Sequence, residues 1–220
     1  MQAAESARAE AVFHKLSHDM RNSVGAILGW ATVLKRAPGA SPLMLQGIEA
    51  IERNVQMQYT VLEDLLDSAR LSAGELQLAR VELQPGTVAR AALEEVRLAA
   101  FRNGVILHAA PVDEAARVLA DESRLRRVLT RLLRAVIDTL PRGGSVQLSG
   151  QVTGNAYEIH VADGTTRPDI PAAAASASVP LPPELAVAAE LVLQHQGSLT
   201  ATGYGGAGQP GFRLRLPLAR

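Results

Sequence analysis

FHKLSHDMRNSVGAILGWATVL, residues 13–34, places apolar side chains at Phe13, Leu16, Met20, Val24, Ile27, Ala31 and Leu34. Steps of three and four make the stripe of an amphipathic helix, so one long helix is predicted from about Glu5 to Arg36. The stretch also sets His14 and His18 one helical turn apart and follows the second with Asp19 and Asn22. His18 falls about half a turn off the stripe and is expected to face solvent. There, one ring nitrogen can attack an electrophile while the neighbouring carboxylate of Asp19 holds the proton on the other. Asn22, at i+4, shares that face and could orient a water or a phosphoryl oxygen. On spacing alone, the same residues also fit an ordinary solvated helix face. No metal site is expected at His14 and His18, because Lys15 stands where a metalloprotease helix has its glutamate and no third ligand is evident.

Outward from this helix, APGASP at residues 37–42 breaks the pattern with two prolines and a glycine. Ser41 before Pro42 suits an N-cap followed by the first helical position. A second helix is predicted through Leu45, Ile48, Val55, Leu62, Leu65 and Ala69 to about Ala73, where Gly74 can take the left-handed conformation that ends a helix. One hairpin of two such helices cannot cover both apolar stripes. Pairing with a second copy into a dimeric four-helix bundle is therefore expected.

Composition narrows the function. The 220 residues, 47% hydrophobic, suffice for two small domains. The absence of cysteine excludes disulfides, thiolate metal sites and a cysteine nucleophile, which leaves histidine as the leading covalent candidate. Twenty-two basic residues balance twenty-two acidic ones, so no large positive field is available for nucleic acid. No run of 18 apolar residues could span a bilayer and MQAAESARAE lacks a secretory core, so a cytoplasmic protein with no membrane span is expected.

After Gly74 the pattern shifts to short runs: ELQLARVEL, VILHA, ARVLA, SVQLSGQV and AYEIHVAD. Helical stretches near residues 86–101, 121–140 and 183–196 separate them, which predicts an α+β domain over 77–220 behind a helical hairpin over 1–76. SLTATG and GFRLRLPL read as a closing strand pair, and PAAAASASVPLPP, residues 171–183, as a loop. GYGGAG, residues 203–208, formally satisfies a dinucleotide fingerprint. It leads into a strand instead of a helix and is read as a turn.

The stretch at residues 13–34 resembles the phosphoacceptor helix of two-component sensor histidine kinases, in which histidine is followed by an acidic, an apolar and a basic residue and then asparagine or threonine. His18, Asp19, Met20, Arg21 and Asn22 match one by one, while Ser23 stands where the family often has proline. LEDLLDSARLSAGELQL, residues 62–78, is similar to the usual exit from that hairpin. The resemblance implies that His18 is phosphorylated, that Asp19 is its acid–base partner, and that Asn22 serves removal of phosphate from a response regulator. It also implies a Bergerat-type α/β sandwich as the second domain, with ADESRLRRVLTRLLRAVIDTLPRGGSVQLSG as its central helix and following strand.

In that family the central helix supplies an asparagine ligand to magnesium, and magnesium requires oxygen donors. Aligned through RLLRAVIDTLP, this position is Ala135, with Asp138 one turn on as a substitute oxygen donor. The adenine-receiving motif is represented by Asp163 and Gly164 in altered register. Pro182 and Pro183 remove amide donors where the last helix should meet phosphates. The expected protein is a homodimer exchanging phosphate between His18 and a response-regulator aspartate, in phosphotransfer or as a regulator phosphatase. The receiver domain would supply its own Mg2+, and ATP would be dispensable. An ATP-dependent sensor kinase with divergent motifs and a non-catalytic scaffold are the alternatives.

Overall fold

A computed structural model describes residues 20, 22–39, 41–164, 178–202 and 211–219. The chain divides into two compact units, Met1–Leu76 and Gln77–Arg220.

In the first unit α1 runs through residues 22–35 and α2 spans Pro42–Ala73. The start and stop of α2 are set locally. The Ser41 side chain accepts a hydrogen bond from the Met44 N–H at 3.2 Å, and Pro42 occupies the first turn. At the other end Gly74 adopts φ 72° and its N–H donates to Leu71 O, while the Glu75 N–H donates to Arg70 O. Lys35, ending α1, meets Glu52 of α2 at 2.9 Å, so the two helices run antiparallel. Ile48, Val55, Leu62 and Leu66 form the buried row of α2. The sequence pattern assigned Leu65 to that row, but Leu65 is 61% exposed and Leu66 is 2%. Steps of three and four from Leu62 both lie near the stripe, so periodicity alone did not choose between them. A second apolar row stays open: Ile27, Trp30 and Leu34 on α1, and Ile51, Val61 and Leu65 on α2. Among the described residues, no helix is long and apolar enough to cross a membrane.

The second unit contains β1 (Val81–Leu83), α3 (Pro85–Asn103), β2 (Ile106–Val112), β3 (Val118–Ala120), α4 (Glu122–Thr139), β4 (Ser145–Thr153), β5 (Ala156–Asp163), β6 (Ser178–Val179), α5 (Ala186–Gln194), β7 (Ser198–Thr202) and β8 (Gly211–Pro217). Six strands form one sheet in the order β2-β4-β5-β8-β7-β6, parallel only between β2 and β4, and β1 pairs with β3 in a separate ribbon. Alternation explains which face is covered. Tyr157, Ile159 and Val161 of β5 and Phe212, Leu214 and Leu216 of β8 are buried, while Glu158, His160, Arg213 and Arg215 point to the other side. The central helix α4 lays Leu125, Val128, Leu129, Leu132, Leu133, Val136 and Ile137 onto this core, each at most 1% exposed.

Two expectations need correction. ELQLARVEL is a strand only at its last three residues, because the preceding segment is held by side-chain contacts instead of a ladder. PAAAASASVPLPP is not wholly loop, since Ser178 and Val179 pair with Thr202 and Ala201 as β6. GYGGAG lies outside the described residues.

A polar hub ties the ends of three elements together. The Asp121 side chain caps α4, accepting from the Arg124 N–H at 3.1 Å, the Ser123 hydroxyl at 2.9 Å, the Ala79 N–H at 3.1 Å and the Arg124 guanidinium at 2.6 Å. The Asp121 N–H donates to His195 Nε2 at 3.0 Å, and His195 Nδ1 lies 2.7 Å from Leu191 O. Nδ1 therefore carries the proton and the ring is neutral. Arg124 also reaches Gln77 O at 3.4 Å, and Arg80 donates to Gln194 O at the end of α5. Burial, together with the positive charges of Arg80 and Arg124, pushes His195 below the ordinary histidine value against the opposing effects of the Leu191 carbonyl and Asp121. A depressed histidine means that the unfolded chain binds the proton more readily. Its stabilising contribution is then complete above the unfolded value near 6.5 and is lost as pH falls through the folded one. The urea midpoint of the wild-type protein should decline between pH 7 and 5, and that of His195→Gln should decline less. Parallel profiles would show that His195 does not couple to protons.

Candidate functional site

The first candidate site is on α1. Asn22 is exposed there, as its place on the polar side of the helix predicts. His18 and Asp19 lie outside the described residues, so their assignment rests on the sequence.

The second candidate is the flank of α4 in the Gln77–Arg220 unit. Its orientation follows from three contacts with α3: Arg126 meets Glu95 at 3.2 Å, Thr130 donates to Glu95 at 2.9 Å, and Asn103 donates to Asp138 at 3.3 Å. Ala135 is half-buried on the helix, and its methyl group supplies no oxygen donor. Asp138 is exposed and accepts a hydrogen bond from Asn103. Among the described residues there is no cluster of three or more histidines or carboxylates that could hold a metal.

Asp163 is buried at the end of β5, opposite Val146 of β4. Gly164 follows, and its N–H donates to Ser145 O at 2.7 Å. A Cβ on Gly164 would stand 2.6 Å from the Ser145 hydroxyl, so any larger residue here would force that hydroxyl to rotate away. Asp163 and Gly164 are adjacent at the end of β5, and no separate second glycine adjoins them among the described residues. Pro183 opens a single 3-10 turn, Pro183–Leu185, before α5, and the cap at Pro182 has no side-chain hydrogen bond. The start of this last helix offers two prolines in place of a cradle of amides.

Sequence reasoning missed the Asp121, Arg124 and His195 hub. Asp121 before an amphipathic run is an N-cap signal that could have been read. His195 carries no such signal, because its partner is 74 residues away.

Residues 9–74 match the family described as the His Kinase A (phospho-acceptor) domain. The sensor protein DivL of Caulobacter vibrioides is 26% identical over 148 residues, covering 67% of this chain and 19% of that protein. The histidine protein kinase DivJ of the same organism is 26% identical over 151 residues, covering 67% of this chain and 25% of that protein. This chain therefore spans a quarter or less of the length of these two relatives. Among solved structures, full-length ShkA in complex with AMPPNP aligns with a TM-score of 0.62 at 22% identity, over 95% of this chain and 46% of that one. The shared fold is α+β: a helical hairpin followed in the chain by an α/β sandwich.

Proposed function

Because this chain is a member of the two-component histidine kinase family, we propose that His18 exchanges a phosphoryl group with an aspartate on the receiver domain of a response regulator. The neutral imidazole attacks phosphorus through its free nitrogen. The P–N bond forms as the P–O bond to the regulator's carboxylate breaks, the carboxylate leaves with the electron pair, and Asp19 holds the proton of the other ring nitrogen. Such a transfer needs positioning and charge stabilisation, and the receiver can bring its own cation. Asn22, one turn after His18, would orient water for removal of phosphate from the regulator. The open apolar rows on α1 and α2 support pairing of two copies into a four-helix bundle.

The observation that favours exchange over autophosphorylation from ATP is Ala135. A methyl group in the metal-liganding position, with prolines at the start of the last helix, removes transition-state interactions worth roughly 10²-fold or more each. The competing reading, an ATP-dependent kinase, is favoured by the family description and by relatives such as DivJ that are named kinases. One experiment separates them. The purified protein is incubated with Mg2+ and ATP labelled in the γ-phosphate, and in parallel with a labelled phospho-receiver domain. Exchange predicts acid-labile label on the protein from the receiver and not from ATP. Label from ATP would make the protein a kinase in spite of Ala135.

A further inference from the structure

The β4–β5 turn, the α5–β7 turn and the last residues of β8 border a cavity of about 320 Å3. It lies beside Ala156, the first residue of β5, so about 23 Å of strand separates it from Asp163 and Gly164 at the other end. Asn155, Gln196, Ser198 and Arg215 line it, all exposed, and bring two amides, a hydroxyl and a guanidinium to its walls. Ala156 and Pro217, paired across β5 and β8, add a short apolar wall. The α5–β7 turn is closed by the Gln196 N–H on Leu193 O at 2.8 Å and the Gly197 N–H on Val192 O at 2.9 Å. Helices commonly end this way on a left-handed glycine, yet Gln196 occupies that position at φ 59°. Among the described residues it is the only one besides glycine at positive φ, and backbone strain of this kind gathers at ligand sites.

The charge of the cavity comes from Arg215, the one ionisable residue among those lining it. Arg215 Nη2 donates to Asn155 Oδ1 at 3.4 Å, and Nε is 3.8 Å from Glu158, whose carboxylate also lies 3.4 Å from His160 Nε2. Nη1 has no partner among the described residues. A guanidinium can therefore offer Nη1 and the remaining N–H of Nη2 to a planar, bidentate acceptor. Because Glu158 offsets part of the positive charge, a singly charged carboxylate suits the cavity better than a phosphate dianion.

We propose that this cavity is a binding site for a small carboxylate, which Arg215 holds while Asn155, Gln196 and Ser198 donate around it and Ala156 and Pro217 meet a short apolar body. A few convergent polar groups beside an apolar wall are the usual make-up of a small-molecule site. The site is independent of exchange at His18, so either can fail without the other. The carboxylate can belong to a free acid or to the C-terminus of a peptide, since both present the same planar anion.

Titration of the full chain with butyrate, followed through the NMR signals of the Gly197 and Ser198 amides, tests this, with N-acetyl-alanylalanine as a second probe and butyramide as the uncharged control. Both carboxylates or either one should shift these signals saturably, butyramide should not, and Arg215→Gln should weaken binding at least about 10-fold. Butyrate alone assigns the site to free acids, and the peptide alone assigns it to C-termini; both outcomes keep the carboxylate on Arg215. Equal shifts with butyramide, no saturable shift with either carboxylate at millimolar concentration, or undiminished binding by Arg215→Gln would overturn the proposal. Circular dichroism melting verifies that Arg215→Gln is folded. Gln196→Gly gives a second readout, because glycine accepts the left-handed turn: it should melt no lower than wild type and bind about 3-fold more weakly.

Discussion

Phosphate exchange with a phosphorylated receiver domain is expected to fall by at least about 10³-fold when His18 is replaced by glutamine, because glutamine keeps a polar side chain of similar reach but has no nucleophilic ring nitrogen. The substitution removes the atom that forms the P–N bond, so no repositioning of Asp19 or Asn22 can compensate. His18 is on the solvent side of the predicted helix, away from the stripe of Leu16, Met20 and Val24. Surface substitutions of this kind usually change stability by less than about 0.5 kcal/mol, and the loss should therefore be chemical. The measurement is transfer of label from the phospho-receiver to the protein, with circular dichroism to verify that the helix content is kept. His14, one turn earlier, provides the internal comparison: His14→Gln should retain transfer. Exchange that persists in His18→Gln would remove His18 from the reaction and with it the reading built on the motif.

The elements most legible in the sequence were those whose boundaries are set by local chemistry. Ser41 with Pro42 and Gly74 fixed both ends of α2, and the helical stretch read near residues 121–140 is α4. Alternation in AYEIHVAD and GFRLRLPL marked β5 and β8, which pair in register from Ala156 with Pro217 to Ala162 with Gly211. What the sequence left open was non-local. The choice between Leu65 and Leu66 depends on what the helix packs against, and the pairing of Ser178 with Thr202 joins segments that share no pattern. The site divides the same way. A histidine, an aspartate and an asparagine on a solvated helix face carry no periodic signature of reactivity, so their roles came from resemblance to a family. The comparison of Ala135 with a metal-binding asparagine came from the same resemblance; only the inability of a methyl group to ligate a cation follows from its own chemistry.

The largest loss of stability should come from Asp121→Ala. Asp121 and Arg124 are 5% and 14% exposed at their side chains and 2.6 Å apart, so the pair is shielded from solvent. Replacing the carboxylate by a methyl group removes the N-cap of α4, worth about 1 kcal/mol in other helices. It also leaves the Arg124 guanidinium without this counter-charge and the Ala79 N–H without its acceptor. Breaking a buried pair by deleting one partner typically costs about 3–5 kcal/mol, and because these effects share one network they should not simply add. A loss of about 3–4 kcal/mol by urea denaturation is expected. The acid limb provides an independent check. Burial alone would raise the Asp121 carboxyl, but the Arg124 N–H and guanidinium, the Ser123 hydroxyl and the Ala79 N–H together hold it below the ordinary carboxylate value of 3.8. A depressed carboxyl stabilises the fold above its unfolded value and ceases to do so as pH falls through its folded one. The stability difference between wild type and Asp121→Ala should therefore be full at pH 7 and shrink below pH 3.8. A difference under about 1 kcal/mol at pH 7 would place the pair among solvent-screened surface bridges and would mean that the Ala79 segment is held to α4 by something other than this carboxylate.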